Sequence, residues 1–132
     1  MVIVTATDSA WQANQLSLLQ SEDELEIVVD RPDREPQRVP VWMVVVDGEL
    51  YVRSYTGVTS GWFRRVEADA DQAVRIGSTD VAVRFENIDR TDSVNHAISA
   101  EYDRKYSRFD YVTAMSEPAA VEATLRVTPI IE

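Results

Sequence analysis

Apolar and polar positions change their spacing several times along the chain, and each change marks an element. Trp11, Leu16 and Leu19 recur at approximate helical spacing, and Asp8 or Ser9 can cap a helix running to about Gln20. Leu25, Ile27 and Val29 then alternate with Glu24 and Glu26, so residues 24–29 read as a strand with one buried face. Residues 30–40, DRPDREPQRVP, hold three prolines and mixed charge without periodicity. They predict an exposed loop rather than a strand, long enough to serve as a lid or binding loop, or simply a solvated surface loop.

Residues 41–46, VWMVVV, are apolar without a break, the pattern of a strand buried on both faces. Asp47-Gly48 follows and predicts a type I′ hairpin into a strand over residues 50–55, because both central turn positions need positive φ. Ser60 is a natural N-cap for a helix to about residue 71, with Trp62 and Val66 one turn apart. Residues 73–77 and 81–88 predict two strands, the second placing Val81, Val83 and Phe85 on one face. Residues 89–106 predict a helix with Ala97, Ile98, Tyr102 and Tyr106 as apolar contacts. A short helix begins near Ser116, with Glu117 and Pro118 in its first turn, and residues 122–128 form the last strand. The expected fold is mainly β with flanking helices. Six antiparallel strands close into a Greek-key barrel within a single domain, residues 1–132.

Composition narrows the function. A chain of 132 residues with 45% hydrophobic residues builds one real core without staples. The absence of cysteine excludes a disulfide framework, a thiolate zinc site and a cysteine nucleophile. A formal net charge of −10 argues against nucleic acid and against anionic lipid as partners. The first residues carry no basic and long apolar leader, and no apolar run approaches a membrane span, so a soluble, cytoplasmic protein is expected. His96 is the lone histidine and no metal site is expected. P-loop, GxGxxG and GxSxG motifs are missing, and the scattered acids nominate no catalytic pair.

VDGELYVRSYTG, SGWFRR, EYDRKY and the ending ATLRVTP together resemble an uncharacterised bacterial and archaeal family of the FMN-binding split-barrel superfamily. That superfamily includes pyridoxamine-phosphate oxidase-like and deazaflavin-dependent nitroreductase-like proteins. The resemblance implies a split-barrel homodimer with FMN or a deazaflavin coenzyme in a groove outside the barrel, and an oxidoreductase passing hydride to a small organic substrate.

The candidate site follows from strand alternation joined to that resemblance. Tyr51, Arg53 and Tyr55 face opposite to Leu50, Val52 and Ser54, so they line the outside if the second set faces the core. Arg53 suits bidentate pairing with a phosphate, and its replacement by alanine is expected to weaken cofactor binding far more than it lowers the melting temperature. Thr59, Ser60, Gly61 and Trp62 offer hydroxyls, helix N-terminal N–H groups and a flat ring. Arg65 adds a local cation, and Lys105, the only lysine, is a candidate to complete the pocket. Each has a plainer reading as a surface ion pair, helix cap, packing residue or solvated helix end. The loop at residues 56–61 contains no lysine, unlike flavin-binding members. This keeps open a second reading, a cofactor-free split-barrel dimer acting as a binding or interaction module. A third is a small barrel holding an apolar ligand inside.

Overall fold

The computed structural model describes residues 11–130. Helix α1 (Ala13–Ser21) leads into strands β1 (Leu25–Arg31), β2 (Arg34–Val41), β3 (Met43–Val46) and β4 (Glu49–Arg53). A 3₁₀ turn (Gly57–Thr59) and helix α2 (Gly61–Ala68) follow, then β5 (Asp71–Ile76), β6 (Thr79–Asn87) and helix α3 (Val94–Lys105). A second 3₁₀ segment (Val112–Ser116), helix α4 (Pro118–Glu122) and β7 (Thr124–Pro129) end the described chain. Helix α1 takes Gln12 as its N-cap; Asp8 and Ser9 lie outside the described residues.

The sheet has seven antiparallel strands, not six, in the order β2-β1-β5-β6-β7-β4-β3. The added strand is β2, which lies in the segment expected to be a loop. Its prolines fit because β2 is an edge strand. Register runs from Leu25↔Val41 to Arg31↔Arg34, and the turn Pro32-Asp33 holds Asp33 at φ 60°. The expected Asp47-Gly48 hairpin is present: φ is 52° and 77° at its two turn residues, and Val46 pairs with Glu49.

Strands β2 and β3 are the two ends of the sheet order, yet only Trp42 separates them in sequence. The sheet must therefore curl until its edges meet at that residue, which makes a half-barrel. Ile27, Val29, Met43, Val45, Leu50, Val52, Val74, Val83, Phe85, Leu125 and Val127 fill its inside, with Leu19 of α1 and Phe63 and Val66 of α2. A second cluster lies on the outer face, where Val44, Tyr51 and Ile88 pack with Ile98, Tyr102 and Tyr106 of α3 and with Met115. The unbroken apolar run in β3 follows from this two-sided burial: Met43 and Val45 serve one cluster and Val44 the other.

Helix α3 starts at Val94 rather than at residue 89. The Asp89 carboxylate accepts from the N–H and hydroxyl of Thr91, and the Asp92 carboxylate accepts from the Val94 N–H. These local bonds compete with helical ones. Among the described residues no helix is long and apolar enough to cross a membrane.

Candidate ligand-binding cleft

Alternation along β4 sends Leu50 and Val52 inward and Tyr51 and Arg53 outward. The outward face is not a free groove, because α3 and the segment Val112–Ser116 cover it. Tyr51 is 4% exposed, and burial pushes its phenol pKa up. Arg53 is 1% exposed. Its Nε donates to Thr124 Oγ1 at 2.8 Å, and Nη1 donates to Ser99 Oγ at 2.8 Å and to the Met115 carbonyl at 2.9 Å. Nη2 donates to Asn95 Oδ1 at 3.1 Å and to the Asn95 carbonyl at 3.3 Å. A guanidinium has five N–H donors, so every one has an acceptor inside the chain. All five acceptors are neutral. Burial lowers the Arg53 pKa, though an arginine remains charged.

Helix α3 also braces the corner where β2 becomes β3. The Tyr102 hydroxyl donates to the Trp42 carbonyl at 3.0 Å, and the Tyr106 hydroxyl accepts from the Met43 N–H at 3.0 Å. Lys105 Nζ donates to the carbonyls of Leu19 at 2.8 Å and Met43 at 2.9 Å. Burial brings the Lys105 pKa down to about 8. At the same corner the Trp42 ring stacks with Tyr106 (centroids 4.1 Å apart, planes 8° apart) and with Tyr111 (5.2 Å, 16°).

Beside this stack opens a cleft of about 710 Å³. Trp42, Tyr55, Trp62, Tyr111 and Met115 provide its large apolar walls, with Val39, Pro40 and Val41 from the end of β2. Tyr55 and Tyr111 are 68% and 65% exposed, although large rings favour burial. Ser54, Thr56 and Ser60 bring hydroxyls. Ser54 Oγ donates to Ser60 Oγ at 3.0 Å and lies 3.3 Å from Thr56 Oγ1. Ser60 is the N-cap of α2 as expected, but its side chain makes no capping bond. Arg53 and the exposed Glu24 are the charged residues that line the cleft. The arrangement suits a planar ring: aromatic faces for stacking and hydroxyls for a polar edge.

A family model described as "Uncharacterized protein conserved in bacteria (DUF2255)" matches residues 15–127. The chain belongs to this family. Its fold is a mainly β half-barrel with flanking helices, in keeping with the split barrel that the motifs implied. The fold is similar to that of HutZ, the heme storage protein from Vibrio cholerae, at TM-score 0.69 and 9% identity, covering 88% of this chain and 87% of that one. It is similar to an FAD-binding protein from Mesorhizobium loti at TM-score 0.61 and 14% identity, covering 87% and 84%. It is also similar to an F420 reductase at TM-score 0.60 and 17% identity, covering 92% and 97%. None of the curated proteins matches the sequence.

In this DUF2255 chain the fold brings only part of the expected site together. Tyr55, Ser60 and Trp62 line the cleft, and Arg53 lines it with its donors turned to other partners. Thr59, Gly61 and Arg65 are exposed and outside the lining, Tyr51 is buried beneath α3, and Lys105 belongs to the corner brace. Trp42 lies in a run whose pattern predicts burial on both faces, and no spacing along the chain marks Tyr111 or Met115 as wall residues. The available signal was the aromatic density of residues 106–111, YSRFDY, immediately after a helix.

Proposed function

We propose that this protein is a ligand-binding split barrel that holds a flavin- or deazaflavin-type ring in the cleft, and that it works as a homodimer. The observation that carries the reading is the convergence of Trp42, Tyr55, Trp62 and Tyr111 on one cleft with three hydroxyls. Two of those rings stay largely in water in the single chain, a cost that a stacked ligand or a second copy relieves. The flavin- and F420-related names of the structural neighbours support the ligand class by analogy. When bound, such a ring supplies hydride transfer to a small organic substrate; the protein supplies binding and orientation. Tyr55 and Tyr111 present exposed faces to the ring, Trp42 and Trp62 back them, and Ser54, Thr56 and Ser60 serve its polar edge.

The phosphate of FMN fits less well. Among the described residues Arg53 is the only cation lining the cleft, and it has no donor to spare. That observation favours a second reading, a cofactor-free module using the same aromatic surface for another partner. The visible spectrum of the purified protein, with titrations of riboflavin, FMN and the deazaflavin coenzyme, separates the two. Saturable binding of any of these near one per chain is expected. A colourless protein that binds none of them returns the chain to the cofactor-free reading.

A further inference from the structure

The cleft has aromatic walls but, among the described residues, no lining cation with a donor to spare. A phosphate carries close to two negative charges at neutral pH; the hydroxyls of Ser54, Thr56 and Ser60 and the N–H groups that open α2 can bond it, but pairing its full charge takes a cation with free N–H donors. Here the Arg53 guanidinium is consumed by Thr124, Ser99, Met115 and Asn95. Arg64 and Arg65 are exposed on α2 and are not among the lining residues. The other charged lining residue, Glu24, repels an anion. The whole chain does the same, at a net charge of −10. Freeing Arg53 would mean breaking bonds that tie β4 to α3, β7 and Met115 at once.

We infer that the cleft takes a planar ring ligand whose tail bears no phosphate, and that it discriminates against phosphorylated forms of the same ring. The ligand class is a neutral, multi-ring heteroaromatic, for which riboflavin is the probe. Discrimination comes from leaving a dianion without a cation partner in a cleft that Glu24 also lines, not from added contacts to the preferred ligand. This rests on the ring-binding reading of the cleft.

The experiment is a paired titration of the full chain with riboflavin and FMN, by calorimetry at about pH 7.5, where the phosphate is mostly dianionic. It is repeated with Tyr111→Ala. Riboflavin is expected to bind at least about tenfold more tightly than FMN. The variant is expected to weaken riboflavin binding by about tenfold. FMN binding as tightly as riboflavin, or more tightly, overturns the discrimination and leaves the ring site standing. Binding of neither ligand, or unchanged riboflavin affinity in the variant, overturns the ring site and the inference with it.

Discussion

Arg53→Ala is the sharpest test of how this protein is built. The guanidinium joins β4 to β7 through Thr124, to α3 through Asn95 and Ser99, and to the second 3₁₀ segment through Met115. Alanine removes all five donors from a position that is 1% exposed. Asn95 Oδ1, Ser99 Oγ and the Met115 carbonyl then lose a donor, at roughly 1 kcal/mol each when water can partly replace it. The void left by the side chain adds to this, for a total of about 3–5 kcal/mol. Domains are stable by only about 5–15 kcal/mol, so the loss is a large share. For a chain of this length it corresponds to a fall of roughly 10–20 °C in Tm. Thermal melts followed by circular dichroism measure it, with urea titration as the check on ΔG. Arg53→Lys keeps the charge and fewer donors, and is expected to fall between. The reasoning is refuted if Arg53→Ala melts within about 2 °C of the parent. If FMN affinity also collapses in that variant, the arginine is a ligand group and not a strut.

Two further outcomes follow from the corner and the cleft. Tyr111→Ala, at a ring 65% exposed, is expected to change stability by less than about 1 kcal/mol, whereas Trp42→Ala is expected to cost about 3–4 kcal/mol because it also unpacks Tyr106. Equal losses in urea titrations of the two variants would show that the stack is structural throughout. Stability is also expected to have an alkaline maximum. Lys105, brought down to about 8 by burial, binds fewer protons folded than unfolded, so its contribution grows as pH rises from about 8 toward the ordinary lysine value near 10.5. Burial pushes the Tyr102 and Tyr106 phenols up, so the folded chain retains protons that the unfolded chain releases, and stability declines above pH 10. Urea midpoints from pH 7 to 11 test both arms, and a midpoint that falls steadily from pH 8 would remove the Lys105 arm.

Local pattern determined much of the fold. Alternation placed Leu50 and Val52 inside and Tyr51 and Arg53 outside, and Asp47-Gly48 announced its own hairpin, because strand period and turn φ are properties of adjacent residues. Strand β2 was hidden because its prolines argue against a ladder, and only its place at the sheet edge makes them harmless. The fate of Arg53 was not legible at all. Its acceptors Asn95, Ser99, Met115 and Thr124 lie 42 to 71 residues away in sequence, and no local signal says that α3 will close over that face. Trp42 and Tyr111, two walls of the cleft, are likewise far apart in sequence. Trp42 reads as core by its neighbours, and becomes a ligand wall only because the curl of the sheet turns a corner at it and the chain after α3 brings Tyr111 back against its ring. The chemical character of each residue was readable from the sequence. Which donors remained for a ligand was decided by tertiary contacts, because a hydrogen-bond donor buried among acceptors is used up by the fold itself.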